Sequence, residues 1–188
     1  MKELSLNILD ISQNSISAEA DLVEISLDES EDILTISIAD NGRGMDQDFL
    51  KTVCDPFRTT RSTRKVGMGI PLFKLAAEQT EGSLKIDSRT KEVFPQDHGT
   101  NVTASFNKKH LDFTPLGDII STLVILIQGS PLVDFKFQHN LPNGDSVSLD
   151  TREIKEVLGE DVPINSLEVL EWIKGSLEEQ YQLANYNF

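Results

Sequence analysis

The chain has 188 residues, 38% hydrophobic and 26% charged, the balance of a soluble globular protein with room for one substantial core. Its 17 Lys and Arg against 31 Asp and Glu leave a net charge of −14, which argues against nucleic acid and anionic membrane as partners. A single cysteine, Cys54, excludes an intramolecular disulfide and a multi-cysteine metal centre, and reads as a small buried hydrophobe.

Residues 4–18 carry Leu4, Ile8, Ile11 and Ser15 at helical spacing, widened by Leu6 and Leu9. Asp10 and Asn14 stand four apart on that helix and project from one side. Alternating runs at 21–27 and 33–39 predict a strand hairpin across the acidic stretch 28–32. The second strand enters the turn Asp40-Asn41-Gly42-Arg43-Gly44-Met45, after which Asp46 caps a short helix through residue 53. Residues 55–69 form a basic loop ending in Gly67-Met68-Gly69, and a helix over 70–79 stops at Gly82. Strands at 84–87 and 101–106 flank a polar loop.

Beyond residue 107 the pattern predicts an apolar helix over 116–127, a strand at 133–138, a turn at Pro142-Asn143-Gly144-Asp145 and a strand at 147–149. Amphipathic helices follow at 152–158 and 166–183. The longest apolar run, 123–127, is too short to cross a bilayer, and with no signal peptide read at the start the expected location is the cytoplasm. The expected division is an N-terminal unit, 1–107, and an α+β extension, 108–188, which is either a small subdomain or an addition to the same sheet.

Three constellations carry chemistry. A carboxylate at a strand end, Asp40, can accept a hydrogen bond from the exocyclic amine of adenine. Gly42 and Gly44 let the backbone turn and approach a flat base, and Met45 offers a soft apolar surface. Many turns share that pattern, so alone it decides nothing. Gly67, Met68 and Gly69 lie where a loop becomes a helix, a place suited to phosphate, and Arg58, Arg61, Arg64 and Lys65 concentrate positive charge just before it. The spacing is neither that of a Walker A loop nor that of a dinucleotide fingerprint. Finally, the Asn14 carbonyl suits Mg²⁺, and Asp10 could orient or deprotonate a water.

In this order the motifs resemble the Bergerat-fold ATPase superfamily of DNA gyrase B subunits, heat-shock chaperones, sensor histidine kinases and MutL-type repair proteins. The stretch 10–18 looks like the family's N box and 40–45 like its first glycine box. Asp55-Pro56-Phe57-Arg58-Thr59-Thr60 with Gly67-Met68-Gly69-Ile70 is similar to the lid and second glycine box of histidine kinases, and Gly99-Thr100 to their final glycine–threonine strand. The resemblance covers residues 4–107. It implies an α+β, two-layer sandwich with helices on one face of a mixed, mostly antiparallel sheet.

It also implies ATP and Mg²⁺ as ligands. Asn14 would hold the metal, and Asp40, Gly42, Gly44, Met45 and Thr100 would surround the base. Gly67, Met68 and Gly69 with the lid cations Arg58, Arg61, Arg64 and Lys65 would meet the phosphates. Hydrolysing members carry Glu four residues before the Asn, whereas this chain has Asp10. The kinases often have a basic residue three after it, where this chain has Ser17.

The organisation expected from the sequence lacks the dimerising hairpin that sensor kinases carry before the N box. His98, His110 and His139 read as surface residues without the helical, acid-flanked setting of a phosphoacceptor. The function expected is therefore ATP-dependent phosphorylation or regulation of a separate partner protein, for which the anti-sigma-factor kinases are a family precedent. An ATP-gated, non-catalytic interaction module and a slow ATPase using Asp10 stay open, as does a homodimer.

Overall fold

The computed structural model describes residues 3–53, 69–159 and 161–186. Helix α1, Leu4–Ser17, buries Leu4, Ile8, Ile11 and Ser15, the stripe its spacing predicts. Its N-cap, Glu3, makes no side-chain cap bond; the free N–H groups of Leu4 and Ser5 instead donate to the Pro115 and Leu116 carbonyls at 2.9 and 2.8 Å. Strands β1, Leu22–Glu29, and β2, Ile33–Asp40, form the expected antiparallel hairpin. The single turn α2, Gln47–Leu50, is capped by Asp46, whose side chain accepts from the Phe49 N–H. Helix α3, Gly69–Glu78, leads to β3, Ser83–Arg89, and β4, Gly99–Asn107.

After residue 107 come α4, Ile119–Gly129, β5, Asp134–Asn140, β6, Ser146–Asp150, α5, Thr151–Leu158, and α6, Leu167–Leu183. Their two strands join the first four in one sheet of order β3-β4-β2-β1-β5-β6, antiparallel except where β5 lies parallel to β1. The mixed, mostly antiparallel α+β sandwich is the one the sequence implies.

Register builds the core row by row. Ile86, Val102, Ile38, Ile25, Phe137 and Leu149 lie side by side across all six strands, and the helix layer packs on them. Phe135 and Phe137, fully buried, each contribute about 1.5–3 kcal/mol of transfer free energy. They belong to the same apolar cluster as Leu4, Ile8 and Ile11, so the core continues across residue 107 without a break.

Several features depart from the sequence reading: Leu6, expected on the buried face of α1, is exposed, and α2 ends at Leu50 rather than at residue 53. Helix α4 begins at Ile119 rather than at residue 116, because Gly117 sits at φ +74° and Asp118 caps the first turn by accepting from Ser121 N–H. His139 is fully buried, not a surface residue, since its place in β5 falls in an inward row opposite Leu27 and Val147. His98 is half-buried, and His110 lies beside Asp112 in a turn.

Candidate functional site

At one end of the sheet the apolar rows give way to a polar one. Ser88, Thr100 and Asp40 are register partners on β3, β4 and β2, with Val23 of β1 continuing the row. Asp40, half-buried, is fixed from three sides. Its Oδ1 accepts from Gly42 N–H at 2.9 Å and Thr100 N–H at 3.2 Å, and its Oδ2 accepts from Ser15 Oγ of α1 at 2.6 Å. A carboxylate so held is a pure acceptor with a set orientation. It opens into a cleft of about 650 Å³ whose lining includes Ile86, Ser88, His98, Gly99 and Thr100.

The turn after Asp40 is shaped by the protein's own backbone. A Cβ on Gly42 would come within 2.8 Å of the Ala18 carbonyl oxygen. Gly44 lies at φ +70°, and a Cβ there would sit 2.0 Å from the Arg89 carbonyl oxygen, closer than atoms approach. Arg43 N–H donates to Ala18 O, Lys91 N–H to Arg43 O, and His98 Nδ1–H to Gly42 O at 2.7 Å. Since a carbonyl only accepts, that last bond places the proton on Nδ1. Met45 N–H donates to Ser88 Oγ at 2.8 Å, tying the far end of the turn to β3.

The other end of the site is built on α1. Asn14 and Ser15 are neighbours, so one helical turn reaches both Asp40 and the start of α3. A Cβ on Gly69 would lie 3.2 Å from Asp10 Cβ and 3.6 Å from Asn14 Nδ2. The first residue of α3 therefore rests directly against this pair. The Asp10 and Asn14 side chains have no hydrogen-bond partner among the described residues, and burial raises the Asp10 carboxyl above its ordinary value. Two hard oxygen donors beside a helix start fit Mg²⁺, which takes one or two side chains and fills its shell with phosphate oxygens and water.

Of the residues singled out from sequence, Asp40 and Thr100 line the cleft, Gly42, Gly44 and Met45 form the turn that follows Asp40, and Asp10 and Asn14 meet Gly69 on the other side of α1's contact with Asp40. Cys54, Arg58, Arg61, Arg64, Lys65, Gly67 and Met68 lie outside the described residues. Ser15, Ser88 and His98 belong to the site without having been signalled. Each acts through a bond to a residue distant in sequence, which only strand register or helix docking reveals.

Residues 1–110 match the family of histidine kinase-, DNA gyrase B- and HSP90-like ATPases, more than half of the chain. The chain belongs to this family. An NtrY-like sensor histidine kinase, so named, of Rickettsia conorii is 26% identical over 113 residues, 60% of this chain and 18% of its own length. Sporulation kinase C of Bacillus subtilis is 32% identical over 90 residues, 47% of this chain and 20% of its own. The chain thus spans about a fifth of the kinases it matches. Among solved structures, the N-terminal domain of a DNA repair protein superposes with a TM-score of 0.58 at 17% identity, covering 85% of this chain and 58% of that one. That coverage exceeds the family match and so takes in part of the 108–188 segment, a likeness of fold.

Proposed function

We propose that this histidine-kinase-like domain binds ATP with Mg²⁺ and uses it to phosphorylate or regulate a partner protein. The observation that carries the reading is Asp40, an acceptor-only carboxylate oriented by three donors in a cleft, one of them Ser15 of α1, the helix that sets Asn14 and Asp10 against Gly69. Asp40 would accept the adenine amine, with Met45 and Thr100 beside the base. Asn14 would hold Mg²⁺, and the Gly69 helix start and the lid cations Arg58, Arg61, Arg64 and Lys65 would meet the phosphates. Catalysis in such a site is positioning and neutralisation of the γ-phosphoryl charge, with the acceptor supplied by the partner.

Calorimetry with ATP and Mg²⁺ tests the reading. The wild type binds, and Asp40→Ala abolishes binding while retaining its far-UV spectrum. A wild type that binds no adenine nucleotide sinks the proposal. Label on the γ-phosphate then separates the activities: label on a partner marks a kinase, and bound but untransferred nucleotide marks an ATP-gated module. Slow hydrolysis is the second reading, favoured by the raised Asp10 carboxyl beside Gly69. Free phosphate release that Asp10→Asn leaves unchanged removes Asp10 as the base.

A further inference from the structure

The hydroxyls at the base end form a closed donor–acceptor circuit. Ser88 Oγ stands 2.8 Å from Met45 N, 3.0 Å from Gly99 O and 2.9 Å from Thr100 Oγ1. A hydroxyl has one proton and two acceptor positions. Met45 N–H can only donate and the Gly99 carbonyl can only accept, so Ser88 receives from the first and gives its proton to the second. Its remaining lone pair takes the Thr100 proton, the one arrangement that satisfies all three partners. Thr100 Oγ1 is then left with lone pairs alone. Asp40, its register partner, is in the same condition, with Gly42 N–H and Thr100 N–H on one oxygen and Ser15 Oγ on the other. Where the Asp40 and Thr100 side chains face the cleft they offer acceptors only, and the donors of its lining, among them Gln47, Lys85, Arg89 and Asn101, stand on other residues.

We propose that Ser88 is a specificity-determining positioning residue: by holding the Thr100 proton it makes the cleft select a 6-amino purine and reject a 6-oxo purine. An oxo group would face lone pairs on both Asp40 and Thr100, half-buried groups that the bound base covers, and leave them unpaired there, which costs more than a missing contact at an open surface. Ser88 touches no ligand in this account and acts through Thr100. The inference rests on the ATP-binding reading above and extends it to how the base is chosen.

The test compares ATP with inosine triphosphate, both with Mg²⁺, on the full chain by calorimetry. The wild type favours ATP. Ser88→Ala frees the Thr100 proton to turn into the cleft and serve the 6-oxo group, so the ATP-to-inosine preference falls about 3- to 10-fold, the range of one neutral hydrogen bond. Ser88→Thr, which keeps the hydroxyl, restores it. In a Thr100→Val background Ser88→Ala changes the preference no further, because its route of action is gone. If Ser88→Ala does not fold, Ser88→Cys takes its place with the same expectation. A variant that weakens both nucleotides equally, or leaves their ratio unchanged, overturns the proposal, as does a wild type that binds both alike. A wild type that binds neither nucleotide overturns the ATP reading itself.

Discussion

Gly44 and Gly175 show how differently one residue type can be constrained. At Gly44 the backbone is left-handed, φ +70°, and a Cβ would overlap the Arg89 carbonyl. Alanine there costs about 1–2 kcal/mol for the conformation, and more for pushing β3 away from the turn. Gly175 is exposed within α6, with open space where its Cβ would go. We expect Gly44→Ala to lower the melting temperature and weaken ATP binding, and Gly175→Ala to stabilise the fold by about 1 kcal/mol. Thermal denaturation of both variants checks this, and a Gly44→Ala protein that melts like the wild type refutes the contact. Asp40, Gly42, Gly44, Asn14 and Gly69 could be singled out in the sequence because the order of their motifs resembles that of a known family, although no single spacing decided it. Ser15, Ser88 and His98 were not, since their bonds to Asp40, Thr100 and Gly42 cross 25, 12 and 56 positions. A lone serine on a strand or helix carries no signal until register or docking supplies its partner.

At the scale of elements, period-2 alternation sufficed for the β1–β2 hairpin, whose pairing runs through adjacent sequence. It could not reveal that β5 would lie parallel to β1, because Leu22 and Asp134 are joined by no turn and only the fold makes them partners. The start of α4 was misplaced for a different reason. Apolar residues begin at Leu116, but the stop and start signals at Gly117 and Asp118 outrank them. Asp118 accepts from Ser121 N–H at 2.8 Å on one oxygen and from Ser121 Oγ at 2.6 Å on the other. Loss of this cap in Asp118→Ala should cost about 1 kcal/mol, with Asp118→Asn retaining most of it. Urea denaturation of the two variants distinguishes a cap from a mere surface charge, for which both substitutions would behave alike. The edge of β6 illustrates the complementary need to end a sheet. Gln180 of α6 donates to the Ser148 carbonyl and accepts from its N–H, at 3.2 and 2.9 Å, standing in for the missing neighbour strand.

In the whole molecule, the 108–188 segment is tied to the ATPase-like part at the start of α1 and at the end of β1. The Pro115 and Leu116 carbonyls finish the start of α1, and a buried polar cluster closes the end of β1. There Glu29 accepts from His139 Nε2–H at 3.0 Å and from the Tyr186 hydroxyl at 2.7 Å, and pairs with Lys108, while His139 Nδ1 meets the Tyr181 hydroxyl at 2.9 Å. Burial alone would raise the Glu29 carboxyl, but the hydrogen bonds from His139, Lys108 and Tyr186 outweigh it and hold it at about 2, below the ordinary 4.5. A depressed carboxyl stabilises the fold above its unfolded value and loses that contribution as pH falls toward its folded one. Wild-type stability should therefore decline between about pH 4.5 and pH 2 by an amount on the order of 3 kcal/mol from this group. Glu29→Gln removes the contribution at neutral pH and leaves Lys108 without its carboxylate, so its deficit against the wild type is largest near pH 7 and shrinks through the acid range. Urea midpoints at pH 7, 4.5 and 3 measure that difference. A deficit that stays constant with pH would mean that Glu29 holds the segment by shape rather than by charge.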